Sequence, residues 1–288
     1  MNKSIIVFLI FALPFTGYAQ NLHLLISAGV SNYQGDLQAK VFTFKGSEPA
    51  AGAGLAYDIS NHFAIRGLVS KAKVSGNDRL NTAGKGTEQR NLNFKTNIIE
   101  GQLGVEYNLL DISEWGFTPY LFLSGAVYHF DPYTQDAAGQ KIPLQPLGTE
   151  GQDLPQYPDK KKYKLTQFAI PLGGGVKLAL TDNLQVGFEF GFRKLFHDYL
   201  DDVSTTYADS AILLAARGPE AVELAYRGDE LPGGFAYPNA GEQRGNSKLM
   251  DWYYMTGFRI AYRLGAGNGG NRNKGGRKSR TGCPSNVY

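Results

Sequence analysis

The ten residues from Leu184 to Arg193 constrain this chain more than any other stretch. Leu184, Val186, Phe188, Phe190 and Phe192 make one face, apolar and mostly aromatic. Gln185, Gly187, Glu189, Gly191 and Arg193 make the other, where every residue is polar, charged or very small. Side chains alternate across a strand, so the segment needs an apolar medium on one side and polar packing on the other. A single strand of this kind also suits a secreted sandwich. A membrane barrel requires the pattern to recur at regular intervals.

It does recur. A first strand sets Leu22, Leu24, Ile26, Ala28 and Val30 against His23, Ser27, Gly29 and Ser31, with Leu25 out of pattern. A second sets Ala51, Ala53, Leu55, Tyr57 and Ile59 against Gly52, Gly54, Ala56 and Asp58. In the third, Phe63, Ile65, Gly67 and Val69 oppose Ala64, Arg66 and Ser70. The fourth points Ile99, Leu103, Val105, Tyr107 and Leu109 outward, with Glu100, Gln102, Gly104 and Glu106 inward. The fifth, Thr118 to Phe130, is apolar on both faces, and the aromatic set Tyr120, Phe122, Ala126, Tyr128 and Phe130 is expected outside. The sixth carries Phe168, Ile170, Leu172, Val176 and Leu178 outward and Gln167, Gly173, Gly175 and Lys177 inward. Its Pro171 lacks a ladder donor and is expected to break the pairing. Leu184 to Arg193 is the seventh. The eighth opposes Trp252, Tyr254, Phe258, Ile260, Tyr262 and Leu264 to Tyr253, Gly257, Arg259, Ala261 and Arg263.

The links after strands two, four and six are short, and those after one, three, five and seven are long. The last long link is expected to hold one helical piece around Ala208 to Ala216 and another after Pro219. After the first twenty residues no apolar run is long enough for a spanning helix. A membrane form must then be a closed barrel, because lipid cannot satisfy an open sheet edge. The expected fold is all-β: an eight-stranded antiparallel up-and-down transmembrane β-barrel with long external loops, short periplasmic turns and both termini periplasmic. Tyr57, Tyr107, Tyr120, Trp252 and Tyr262 are expected in its interfacial girdles.

Residues 1–19 read as a secretory signal peptide, with Lys3, an apolar Ile5 to Phe15 and the small-residue site Gly17-Tyr18-Ala19. The barrel is expected over 20–264. Residues 265–288 form a Gly-rich tail carrying Arg272, Lys274, Arg277, Lys278 and Arg280 but no acid, which suits docking on an acidic periplasmic partner. Its Cys283 is the one cysteine of the chain and has no internal partner. The net charge of +3 implies no nucleic acid.

A barrel of eight strands is filled by its own side chains. The inward set includes Asp58, Arg66, Glu100, Glu106, Lys177, Glu189, Arg193, Arg259 and Arg263. Such mixed charges should cross-link into a plug rather than line a pore. Asp58, Arg66, Glu106, Lys177 and Arg263 are expected near the turn end, and Glu100, Glu189 and Arg259 nearer the middle. No catalytic constellation, metal-ligand spacing or cofactor motif is evident, and His23, His62, His129 and His197 are scattered. Asp198, Asp201 and Asp202 cluster beyond strand seven without an EF-hand pattern. Capping of the loop helix and solvation are the favoured roles, with calcium an alternative.

Five segments resemble the PorG-like outer-membrane barrel family of the type IX secretion system. They are Ser31-Asn32-Tyr33-Gln34-Gly35-Asp36-Leu37, Arg90-Asn91-Leu92-Asn93-Phe94 running through to Tyr107-Asn108-Leu109, Thr118-Pro119-Tyr120-Leu121-Phe122, Asp198 to Ser204, and Cys283-Pro284. The resemblance implies a non-enzymatic integral barrel that works with a periplasmic lipoprotein ring in protein export. It supplies no catalytic residues. A stand-alone surface adhesin using the long loops is the alternative.

Overall fold

The computed structural model describes residues 21–40, 43, 45–81, 87–136 and 139–265. The expected signal peptide, and the tail with Arg272, Lys274, Arg277, Lys278, Arg280 and Cys283, lie outside these residues. Eight long strands form the barrel: β1 (Leu22–Gln34), β2 (Glu48–Asp58), β3 (Phe63–Asn77), β4 (Asn93–Asn108), β5 (Phe117–Gln135), β7 (Thr166–Ala179), β8 (Leu184–Leu195) and β9 (Trp252–Arg263). Sequential neighbours pair antiparallel, and β1 pairs with β9 from His23↔Arg263 to Gln34↔Trp252, so the sheet has no free edge. A short β6 (Lys141–Pro143) adds to the loop end of β5.

The pattern of exposure is inverted relative to a water-soluble protein. Leu103, Phe168 and Phe258 are 66%, 69% and 72% exposed on the outer surface, whereas Arg66 and Glu100 are wholly buried. A continuous apolar belt of this kind requires lipid around it. No helix among the described residues is long and apolar enough to cross a membrane. Lys71 and Lys194 are exposed towards the loop end, and β3, β4 and β5 continue beyond the level of Lys71. The outward faces of β8 and β9 interlock, with Phe188 against Phe258 and Phe192 and Phe190 against Tyr254.

β5 faces the opposite way from the expectation. Tyr120, Phe122, Ala126, Tyr128 and Phe130 are all buried in the lumen, and Leu121, Leu123 and Val127 face out. Tyr120 is therefore not a girdle residue. The aromatics sit inside because they fill the bore and supply ring faces to its cations: Arg66 lies 4.3 Å from the Phe122 ring and Arg259 5.0 Å from Tyr120. Thr118 and Ser124 share their parity, and these hydroxyls were the available signal.

At Pro171 the β5–β7 ladder is interrupted between Leu123↔Leu172 and Ala126↔Ala169, with the register unchanged on either side. The last link holds α3 (Ser210–Arg217) and α4 (Pro219–Ala225). The cap of α3 is Asp209, whose carboxylate accepts from Ala211 N and Ile212 N. Two further short helices, α1 (Thr87–Arg90) and α2 (Ile112–Trp115), lie in the links after β3 and β4.

Candidate functional site: a sealed lumen under a loop cap

From the turn end upward, the lumen is built in tiers. At the mouth a polar cavity of about 340 Å³ is lined by His23, Asp58, Asn108 and Arg263, among others. His23 and Asp58 pair at 2.8 Å. Asp58 and Arg263 were expected within the charge network. Asp58 bonds His23 instead, and Arg263 takes part in no ion pair among the described residues. Each sits at the last inward position of its strand, against the wide mouth rather than the packed bore.

Above the mouth, Glu106 on β4 accepts from Lys177 Nζ at 2.5 Å, Arg259 Nη1 at 2.6 Å and Arg66 Nη1 at 3.4 Å. Arg66 also donates to both carboxylate oxygens of Glu189, at 2.7 and 2.9 Å, across the bore from β3 to β8. Tyr120 Oη donates to Glu189 at 2.8 Å. The levels expected to separate Arg66, Glu106 and Lys177 from Glu189 and Arg259 are thus joined, because guanidinium side chains are long enough to bridge them. Glu100 and Arg193 form a second pair at 3.3 Å, and Tyr253 Oη donates to Glu100 at 2.6 Å. A gap of about 40 Å³, lined by Gln102, Glu189 and Arg193 among others, lies between the two groups. It has room for about one or two waters.

Towards the loop end the filling becomes aromatic. Phe130 stacks on His197 at 5.0 Å and on Tyr163 at 5.9 Å, and Tyr163 stacks on Tyr199 at 4.9 Å. Burial pushes His197 down to about 4, so its ring is neutral in this stack at pH 7.

Over the stack the long links fold into a cap. Glu150, wholly buried, accepts from Ser204 N, Thr205 N, Tyr199 Oη and Arg244 Nη1 at 2.9 to 3.1 Å. Asp78 accepts from Arg90 Nη2 at 2.6 Å and Leu92 N at 2.9 Å. Asp202 accepts from Thr149 and Tyr163 hydroxyls at 2.6 and 2.7 Å. Asp198, Asp201 and Asp202 are therefore buried members of the cap. They neither cap the loop helix nor face solvent. Glu150, Arg244 and Asp251 were not singled out by sequence reasoning, and Arg90 only within the segment that carries the resemblance, since isolated charges in long polar links carry no periodic signal.

Among the described residues the bore is crossed at two levels by charged pairs and once by stacked aromatics, an arrangement that argues against an open channel. Reconstituted into planar bilayers, the full chain should give no stable large conductance step, and single-channel recordings showing one would contradict the sealed lumen.

The sequence matches the family model described as outer membrane protein beta-barrel domain over residues 5–214. The chain belongs to this family of outer-membrane β-barrels. It is a bacterial outer-membrane protein in consequence. No curated relative matches its sequence. Among solved structures it is similar to OprG of Pseudomonas aeruginosa (11% identity, 85% of this chain and 97% of that chain covered, TM-score 0.42). It is also similar to Neisserial surface protein A (9% identity, 84% and 97% covered, TM-score 0.41). A third similarity is to Ail, the attachment invasion locus protein of Yersinia pestis (7% identity, 84% and 96% covered, TM-score 0.39).

Proposed function

We propose that this outer-membrane barrel is a non-enzymatic anchor that organises a type IX secretion assembly from its periplasmic side. In this reading the short turns and both termini are periplasmic and residues 1–19 are a removed signal peptide. One observation carries it. Ion pairs cross the bore, whereas the turn end opens as a polar cavity of about 340 Å³ with unpartnered buried polar atoms in its wall. His23 Nδ1, Asn108 Oδ1 and Arg263 Nε all lack a hydrogen-bond partner there. Such groups favour a polar partner or water at the mouth. The basic tail, with Arg272, Lys274, Arg277, Lys278, Arg280 and Cys283, leaves from the same end, one residue beyond Leu264. The partners this reading requires are outer-membrane lipids and periplasmic lipoprotein-ring components.

A second reading, a surface adhesin or ligand-binding barrel, is favoured by a polar recess of about 400 Å³ in the cap, lined by Arg90, Tyr207, Tyr226 and Arg244 among others. One pull-down separates the two. Detergent-solubilised outer membranes from cells carrying the full chain, or a chain ending at Leu264, are compared for co-purified ring components. The expected result is recovery with the full chain only. Recovery with both would move the contact to the turns, and recovery with neither would overturn the anchor in favour of the loops.

A further inference from the structure

The outer wall of the barrel is not evenly filled. An apolar groove of about 720 Å³ crosses β2, β3, β4 and β5, with Leu55, Leu103, Val127 and Phe168 in its walls. Gly67, Gly101 and Gly125 face it. The register staggers them: Gly67 lies between Leu55 and Leu103, Leu103 beside Gly125, and Gly101 between Val69 and Val127.

Packing within the chain does not require glycine at these three positions. At every other glycine of the eight long strands a Cβ would stand less than 3.0 Å from another atom. At Gly67 its nearest neighbour would be Leu103 Cδ1 at 3.7 Å, and at Gly101 and Gly125 it would meet nothing within 4 Å. None of the three has a left-handed backbone, and the β3–β4 and β4–β5 registers run unbroken past them. Glycine weakens a strand interior and is found where a bulge forms or where something else approaches closely. Here the open side is the membrane side.

Directly above the groove the outward face turns basic. Lys71 follows Val69 on that face of β3 and lies beside Ile99, which lies beside His129. From there to the strand ends the outward residues of β3 and β4 are polar or lysine, Lys73 and Lys95 among them. Lys73 pairs with Glu48 at 3.5 Å, and Lys141 with Asp131 at 2.5 Å. Lys71 and Lys95 take part in no ion pair among the described residues. Lys95 lies on the strand beside Lys71 and about 14 Å further along it, at the usual rise per strand residue.

We propose that this face binds a bisphosphorylated, multi-acylated glycolipid of the lipid A type. An acyl chain fills the groove, and the two phosphates of the sugar headgroup meet Lys71 and Lys95. Each lysine at an anionic lipid surface favours binding by about fivefold. A lipid with one phosphate satisfies one of these separated lysines, whereas a headgroup phosphorylated at both ends reaches both. A second copy of the chain fits less well, because a two-fold axis along the membrane normal would bring the same lysines together at one level. The inference takes from the proposed function only that the loop end faces outward, towards the leaflet that holds such glycolipids. Binding in micelles reads the site whichever way the barrel is inserted and whether or not it serves secretion.

The test titrates the full chain in detergent micelles with diphosphoryl lipid A or with phosphatidylglycerol, and reads bound lipid by native mass spectrometry. Wild type should prefer lipid A by about fivefold or more, the worth of the second lysine. G101L/G125L, which fills open space, should weaken lipid A binding by about tenfold or more while the gel mobility shift of the folded barrel is kept. K71Q/K95Q should lose the preference for lipid A, and K194Q, on the opposite side of the barrel, should bind as wild type does. If G101L/G125L does not fold, the wild-type preference and K71Q/K95Q decide. Three results would overturn the proposal: equal binding of the two lipids by wild type, unchanged lipid A binding in folded G101L/G125L or in K71Q/K95Q, or a lipid-free dimer that G101L/G125L dissociates.

Discussion

Replacing Glu106 by Ala should destabilise the barrel by about 3–5 kcal/mol, the cost found when one member of a buried ion pair is removed. Lys177, Arg259 and Arg66 all donate to this one carboxylate, whose side chain is 1% exposed. Its loss leaves Lys177 with a cation–π contact to Tyr120 and no ion-pair partner, in a bore whose mouth cavity reaches this tier. Arg66 and Arg259 retain Glu189, which then faces two guanidinium groups alone. Urea unfolding in lipid vesicles, followed by the gel mobility shift of folded barrels, measures the difference. A loss below about 1 kcal/mol, the range of exposed pairs, would mean that water enters and screens this tier.

A second large effect is expected at the other end, and it should be local. Glu150→Gln keeps shape but removes charge, and it turns an amide NH2 towards groups that all donate. Arg244 then loses its shorter ion pair, and the remaining carboxylate, Asp202, is 3.9 Å away. The links after β5 and β8 are joined through Glu150 to Ser204, Thr205 and Tyr199. The variant should therefore loosen the cap by about 3 kcal/mol or more while the strands stay paired. Limited proteolysis should cut within 196–251 at least tenfold faster than in wild type, with the barrel fragment surviving. Glu242→Gln, an exposed change, should not. Unchanged proteolysis in Glu150→Gln would show that aromatic stacking alone holds the cap.

What could be read from the sequence followed from solvent contrast. Wherever a strand has lipid on one side and charge on the other, as in β8 and β9, the period-two pattern names the outward apolar residues. β5 escaped because its lumen face is aromatic and its lipid face aliphatic, so hydrophobicity does not distinguish them. Only Thr118 and Ser124 mark the inner side. The charged residues of the bore were visible for the same reason of contrast, but their partners were not. Glu106 meets Lys177 and Arg259 across 71 and 153 residues of chain, and nothing local encodes which rotamer reaches which acid. The cap was the least legible part, because its links have no repeat. The misreading of Asp198, Asp201 and Asp202 as solvated came from treating a long polar link as surface.

The geometry of the Glu106 tier also bears on how the barrel assembles. Its members lie on β3, β4, β7, β8 and β9, and β9 is the strand that closes the sheet against β1. A half-inserted sheet lacking β8 and β9 would present Glu106, Arg66 and Lys177 to the bilayer without Arg259 or Glu189. Such an intermediate holds ions in hydrocarbon with part of their counter-charge missing, at a cost of several kcal/mol. Partial barrels are thereby discouraged, and insertion becomes close to all-or-none. The same charges that shut the bore make circular closure the step at which the protein commits to its membrane.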